Sequence, residues 1–411
     1  MQSLKLGDLT SSTITKGTTP TTNGGSFVDR GVNFVKVQAV DVDGHIVADQ
    51  LAHIDEETHN KLARSKLREN DILFSIAGAI GRTAIVSADV LPANTNQALA
   101  IVRADPEKID YRYLYYVLRS DTFLHYSLGR VVQTAQANVS LSVLKDAPIL
   151  VPERNVQEAI ASVLGAFDDL LENNRRRIEI LEEMARLLYR EWFVHFRFPG
   201  HEEIEMVDSE LGSIPEGWEV VPFSETSDFV NGFAFKSKDH WHDEGLPIIK
   251  IKELKAGVSV DTPRYHGEDI KPKYFVEDGD VLFSWSAHLD AYFWSGGRSL
   301  LNQHLFVVRP HKLPKLFMFH SLRGRMHEFR ARSQGTTMQH IKRSALSEVS
   351  LVVPTDHVLD EFISTVAPIT ALSLNLTQQN RVLREARDLL LPRLVSGELD
   401  VSELNLDEVL A

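Results

Sequence analysis

The sequence predicts an α+β protein written twice: two α+β domains separated by two long antiparallel coiled-coil helices, related by a pseudo-two-fold internal repeat. Three observations carry this. Four short segments recur in the same order in both halves of the chain. Each half is followed by a seven-residue apolar repeat. Ahead of each heptad run, extended apolar stretches alternate with one helix-like stretch, the pattern of an α+β domain. At 411 residues the chain is also longer than one ordinary domain.

The recurring segments are "FVKVQ" (34–38) with "IIKIK" (248–252), and "NDILFSIAGAIGRTAIV" (70–86) with "GDVLFSWSAHLDAYFW" (279–294). They continue with "TNQALAIVRAD" (95–105) against "LNQHLFVVRPH" (301–311), and "LSVLKDAPILVP" (141–152) against "RSALSEVSLVVP" (343–354). Val35 matches Ile249, Asp71 matches Asp280, Asn96 matches Asn302 and Pro152 matches Pro354. The spacing between copies drifts along the chain, as loops of unequal length require. The predicted segments are 1–152 and 208–354 for the two domains, 153–207 for a central long helix with its linker, and 355–411 for a C-terminal long helix with its tail.

After Pro152 and Pro354 the period changes from two to seven. Ile160, Phe167, Asn174, Leu181 and Leu188 form one seam, and Leu164, Leu171, Ile178, Ala185 and Trp192 its companion. The second copy gives Phe362, Ile369, Leu376, Leu383 and Leu390 beside Val366, Ser373, Asn380, Arg387 and Leu394. Apolar seams at both core positions mean long helices made to pack on one another. Asn155 and Glu158 suggest a capping box at the first helix start, and "PRLVSG" (392–397) a stop for the second. A helix over about 155–195 is ~60 Å long at its usual rise. Two such helices flanking a folded domain pair most simply antiparallel. The register that satisfies the two-fold sets Asn174 opposite Asn380, a polar pair that fixes alignment. Arg175, Arg176 and Arg177 lie beside the seam and suit flanking ion pairs or a partner contact.

Charge is unevenly placed. The net −13 divides into −1 for 1–150, −5 for 151–207, −1 for 208–355 and −6 for 356–411. The helices are acidic and the domains nearly neutral, so the sum does not exclude a nucleic-acid partner. Within 306–343, Arg309, Lys312, Lys315, Arg323, Arg325, Arg330, Arg332, Lys342 and Arg343 face one acid, Glu328. There is no cysteine, which excludes disulfides, thiol chemistry and Cys-ligated zinc. No signal-peptide pattern and no membrane-length apolar run stand out, so a cytoplasmic protein is expected.

Catalytic and cofactor motifs are missing. "AGAIGR" (77–82) lacks the third glycine of a nucleotide cradle, and "HEEIE" (201–205) lacks the second histidine of a zinc protease motif. "HWHD" (240–243) reads as a polar turn, and "EDIK" (268–271), the tail of a nuclease signature, has no counterpart in the other copy. No catalytic, cofactor or metal residue is therefore assigned.

Recognition residues are easier to nominate. "QTAQANVS" (133–140) and "SQGTTMQHIKR" (333–343) fall at the same place in the two copies. Both are rich in side chains that read base edges, with cations that can hold phosphates. They supply Gln133, Thr134, Gln136 and Asn138, then Arg332, Gln334, Thr336, Thr337, Gln339, His340, Lys342 and Arg343. Trp285 and His288 in "SWSAHLD" and Arg82 join them. "TKGTTPTTNGG" (15–25) adds Lys16, Thr18 and Thr19. Its counterpart "VNGFAFKSKDHWHDEG" (230–245) adds Lys236 and Lys238. The last two segments occupy one point of the repeat yet differ throughout, as two readers of different sequences would.

Together these features resemble the specificity subunits of type I restriction-modification systems. The resemblance covers essentially the whole chain. It rests on "ITKGTTPT", "NDILFSIAGAIGRTAIV", "NQALAIVR", the segment 149–193 with its repeat, and above all "RVLREARDLLLPRLVSGEL" (381–399). The resemblance implies that each α+β domain is a target recognition domain reading half of a bipartite, asymmetric site in double-stranded DNA. It implies that the helix pair sets the spacing and docks modification subunits, two of them, which methylate adenine. Restriction subunits would join that core. S-adenosylmethionine, ATP and magnesium would sit in those partners, none on this chain, and no membrane is involved. A stand-alone methyltransferase or nuclease with its own recognition domains, and a coiled-coil scaffold that binds no DNA, are the rival readings.

Overall fold

The structure is a computed structural model that describes residues 2–130, 138–236, 239, 241–259, 261–334 and 340–401. The chain forms two compact units, and they are not the sequence segments taken in order. One comprises 1–172 with 382–411, the other 173–381. Each unit thus holds one α+β domain and one end of each long helix. The reason is physical: a domain buries its apolar helix face against the nearest helix ends, whichever part of the chain supplies them.

In the first unit, β1 (Gln2–Lys5) pairs antiparallel with β10 (Pro148–Val151), so the domain is closed by its own first and last strands. Between them lie two four-stranded sheets. One has the order β2 (Thr15–Lys16), β9 (Leu99–Val102), β6 (Ile72–Ser75), β7 (Thr83–Ile85). The other has the order β3 (Phe27–Val28), β5 (Ala52–Ile54), β4 (Val32–Val35), β8 (Ala93–Thr95), with β4 and β8 parallel. Strands β6 and β9 are buried along their whole length, which is why they read as unbroken apolar runs rather than alternating ones. Helix α1 (Tyr111–Arg119) starts at Asp110, whose side chain accepts from the amides of Arg112 and Tyr113.

The second unit repeats this plan. After a hairpin of β11 (Met206–Ser209) and β12 (Gly212–Pro215), β13 (Glu219–Pro222) pairs with β22 (Ser350–Val353). The hairpin lies outside the strand pair that closes the domain. One sheet has the order β14 (Ser227–Asn231), β21 (Leu305–Pro310), β18 (Val281–Ser284), β19 (Asp290–Phe293). The other has the order β16 (Arg264–Tyr265), β15 (Leu246–Ile249), β20 (Ser299–Leu301), β17 (Phe275–Val276). Register is preserved: Leu73 pairs Ile101 in one unit, and their counterparts Leu282 and Val307 pair in the other. An ion pair recurs as well. Arg103 binds the buried Asp71 through two nitrogens, each at 2.6 Å, and Arg309 meets Asp280 at 3.1 Å. Helix α3 (Lys315–Gly324) takes the place of α1.

The long helices are α2 (Arg154–Phe193) and α4 (Asp356–Ser396). None of the seam positions named above is exposed. Within the second unit the helix segments run antiparallel: Trp192 packs on Phe362 with ring centroids 5.7 Å apart, while Asn174 meets Asn380. Within the first, Asp168 meets Arg387, and Ile160 and Leu394 share one core. Arg175 makes the expected flanking ion pair, with Glu179 at 2.6 Å. Helix α4 ends as "PRLVSG" suggested. Gly397 is left-handed at φ 75°, and the Leu399 amide reaches back to the Arg393 carbonyl, a Schellman-type stop. The capping box is corrected. Helix α2 already begins at Arg154, so Asn155 lies inside its first turn and Glu158 pairs with Arg154 at 2.8 Å.

Candidate nucleic-acid interface

In each unit several of the nominated residues among those described lie at one end of the sheet containing β6 or β18, and the backbone there is the same twice. Lys16 ends β2 opposite Ala100, and Asn231 ends β14 opposite Phe306. Each is followed by a glycine. A Cβ on Gly17 would lie 1.8 Å from the Thr95 carbonyl oxygen, and one on Gly232 would lie 2.2 Å from that of Asn302. No side chain fits either place. The next residue then ties to the same strand end: the Thr18 amide donates to Thr95 O at 3.2 Å, the Phe233 amide to Leu301 O at 2.8 Å. The expectation that the two entry segments differ throughout is thereby corrected. They share a glycine because both backbones press against the end of the neighbouring strand.

At that same end, after the last residues of β6 and β18, the chain turns alike. Ser75 Oγ donates to Ala77 O, and Ser284 Oγ to Ser286 O. The polar loops return there. Ala77 bridges Asn138 and Ser286 bridges His340, while the Val139 amide donates to Ile76 O and the Ile341 amide to Trp285 O. Gln334 and His340 exchange backbone hydrogen bonds at 2.8 and 3.0 Å, closing the base of their loop. Gln133, Thr134, Gln136, Lys238, Thr336, Thr337 and Gln339 lie outside the described residues.

On this common frame the side chains diverge. In the first unit Thr19 donates its hydroxyl to the Gln97 side chain, beside half-buried Lys16 and Thr18 and exposed Asn138. In the second, Trp285 Nε1 donates to Asn231 Oδ1 at 3.0 Å. Its ring lies 5.8 Å from that of exposed His304 and 6.0 Å from Phe306, and the Arg343 guanidinium stands 5.8 Å from Phe306. The first unit has the buried Ile76 where the second has Trp285. Lys236 and Lys342 are exposed.

The Arg82 and Arg332 side chains are held within their own domain as well. Arg82 donates to Val40 O at 2.8 Å and Val37 O at 3.4 Å. Arg332 donates to Glu328 O and pairs with Glu348 at 3.4 Å. His288 sits in the turn after β18, where burial, with Lys255 and Arg330 nearby, lowers its pKa. Most of the basic run 306–343 is likewise paired: Arg309 and Lys315 with Asp280, Arg323 with Asp290, Arg325 with Glu328. Gln97 and its counterpart Gln303 were not nominated, nor were Asn231 and His304. The signal was present, since "NQ" occurs in both copies at the strand end where the loops converge.

Elsewhere, "AGAIGR" forms the β6–β7 turn, with Gly78 and Gly81 at positive φ. The His242 ring stacks on Tyr265; His240 lies outside the described residues. Among the described residues no group of three or more His, Asp or Glu is placed to hold a metal ion, and no helix is long and apolar enough to cross a membrane.

A family model described as the type I restriction modification DNA specificity domain matches residues 1–183 and 215–379. The chain is 29% identical to the type I restriction enzyme MjaIX specificity subunit of Methanocaldococcus jannaschii, over 81% of this chain and 78% of that protein. It is 26% identical to the EcoBI specificity subunit of Escherichia coli, over 50% of this chain and 44% of that one. The crystal structure of a type I restriction-modification S subunit from M. genitalium superposes with a TM-score of 0.55, covering 96% of this chain and 95% of the other at 16% identity. That likeness concerns the fold.

Proposed function

The chain belongs to the type I restriction modification DNA specificity family, and from that premise we propose how it selects DNA. Each α+β domain reads one half of a bipartite, asymmetric site through the sheet end described above. The observation that carries this is the pairing of one backbone frame, fixed by Gly17 and Gly232, with two different sets of side chains. Lys16, Thr18, Thr19, Gln97 and Asn138 face one half-site. Asn231, Trp285, His304, His340, Lys342 and Arg343 face the other. Amides and imidazoles carry paired donors and acceptors for base edges, and the cations hold phosphates in register.

The long helices set the spacing and dock modification subunits. Two such subunits are favoured because exposed apolar positions repeat with the internal symmetry. Leu170 on α2 matches Leu372 on α4, and Ile180 on α2 matches Val382 on α4; all four are exposed. Equal patches suit equal copies of one partner. The acidic charge of the helices suits protein there rather than phosphate. S-adenosylmethionine, ATP and magnesium belong to the modification and restriction subunits in this reading.

The test is to map methylated adenines genome-wide in cells carrying the chain, its Lys16→Ala and Thr19→Ala variants, or its Trp285→Ala and Arg343→Ala variants. The first pair is expected to relax one half-site only, the second pair the other. Relaxation of both halves by either pair overturns the assignment. Methyl transfer or cleavage by the purified chain alone would favour the stand-alone enzyme instead.

A further inference from the structure

The internal repeat exposes a place where one unit is filled and the other is hollow. In the first unit, Arg387 of α4 is buried and donates to Asp168 of α2 at 2.7 Å. The same carboxylate accepts from Tyr116 of α1 at 2.7 Å and lies 3.5 Å from Arg119. One turn before Arg387, Arg384 grips Asp43 through two nitrogens at 2.7 and 3.0 Å. Arginines from the helix pair thus pin the first domain to its helix segment.

The repeat carries Arg387 to Ala185, Arg384 to Glu182, Asp168 to Thr370, Arg119 to Arg323 and Tyr116 to His320. All five counterparts line one cavity of about 280 Å³ in the second unit. Alanine leaves open the space that a guanidinium fills in the other copy. The change of charge runs the same way. Among the described residues, Glu182 and Asp290 line the cavity against one cation, Arg323, which stands 3.6 Å from Asp290. His320 is 5% exposed, and its Nε2 is buried without a hydrogen-bond partner among the described residues. A buried polar atom left unpaired is costly unless something else meets it. Burial holds this imidazole neutral, with its pKa pushed down to about 3, so it adds no charge to oppose a cation.

We propose that this cavity is a binding site for a small guanidinium-type cation, which occupies the position that Arg387 fills in the other copy. The planar ion matches carboxylate geometry and is weakly hydrated, so it enters a half-buried site more readily than an ammonium. Once bound it ties the second domain to its helix segment as Arg387 ties the first. None of the residues assigned above to DNA lines this cavity.

The experiment is calorimetric titration of the full chain with methylguanidinium chloride up to ~10 mM, against sodium chloride at equal ionic strength. Saturable binding to the guanidinium salt alone is expected. Glu182→Gln keeps the shape and removes the charge, and it should weaken binding by ~10-fold or more. Ala185→Arg inserts the side chain found at the other copy and should abolish it. The idea is overturned if no saturable binding occurs, if sodium competes equally, or if Glu182→Gln binds as tightly as the parent. The Gln variant alone decides the matter should the Arg variant fail to fold.

Discussion

Asn174 donates its side-chain amide to Asn380 across the antiparallel helix pair at 3.0 Å, and both residues are buried. In an apolar seam a slipped register would leave each amide facing hydrocarbon, so the pair selects one alignment. Asn174→Leu alone strands Asn380 and should cost about 1–3 kcal/mol in urea unfolding. The double Leu variant should recover most of that loss, because no buried amide remains unpaired. A double-mutant cycle with no coupling would show that the two amides act separately.

Asp168 is the centre of the buried network in the first unit, accepting from Arg387 and Tyr116 with Arg119 at 3.5 Å. Arg387 is only 5% exposed in its side chain. Arg387 keeps Asp388 at 3.0 Å and Asp43 at 3.9 Å, so Asp168→Asn removes its shortest ion pair but not every counter-charge, and it should destabilise by about 1–3 kcal/mol. Thr370→Asn, at the repeat-equivalent position, removes no such partner and should change stability little. Equal losses in the two variants would contradict the asymmetry between the units.

These two relationships differ in how far the sequence revealed them. The asparagine pair followed from the heptad period and the symmetry of the repeat, both local patterns. Arg387 was visible as a charged residue in a seam, but its partners were not. Asp168 lies on the other helix and Asp43 in a loop more than three hundred residues away in the chain, and only the folded chain joins them. The shared glycines were hidden for a similar reason. Gly17 and Gly232 sit among unlike neighbours, and what selects them is a carbonyl on another strand. Gln97 and Gln303 were in plain view but served only as landmarks of the repeat. The capping-box reading starts α2 two residues late, since it takes Asn155 as the cap where the helix already begins at Arg154.

His45 should give the first unit a pH-dependent stability. Its hydrogen bond to Asp41 raises its pKa above 6.5 against the effect of burial, with help from the charges of Asp41, Glu172 and Asp43. Burial alone would raise Asp41, but hydrogen bonds from the His45 ring and amide outweigh it and lower that pKa below 3.8. The histidine's contribution is complete below pH 6.5 and is lost as pH rises through its higher folded value. The aspartate's contribution is complete above pH 3.8 and is lost as pH falls through its lower folded value. Stability from the pair should be flat between these limits. NMR titration of the His45 ring should place its midpoint above 6.5, and His45→Ala should remove the alkaline slope. A midpoint at or below 6.5 would be inconsistent with the pairing.

Gly17→Ala and Gly232→Ala test whether the two sheet ends rest on one frame. Each added methyl would meet a backbone carbonyl, 1.8 Å away in the first case and 2.2 Å in the second. Carbonyl oxygens of paired strands cannot swing aside as a flexible side chain can. Each variant should lose at least ~1–3 kcal/mol of stability. The functional loss should follow the domain: Gly17→Ala impairs one half-site and Gly232→Ala the other. Wild-type stability in either variant would mean that the close approach is not required.

The last prediction concerns the helices as a ruler. Deleting seven residues from α2 and the seven paired residues from α4 removes one heptad from each seam, so the surviving apolar positions still face one another. Each helix shortens by ~10 Å at its usual rise. That is about three base-pair steps of duplex at 3.4 Å each along one strand. The deletion leaves the sheet ends untouched. Methylation mapping should therefore find the same two half-sequences separated by a shorter spacer. Deleting three residues instead shifts the seam out of phase, and that variant should fail to fold rather than acquire a new spacer. If the heptad deletion altered the half-sequences and left the spacer as it was, the spacing would have to be set by the domains themselves.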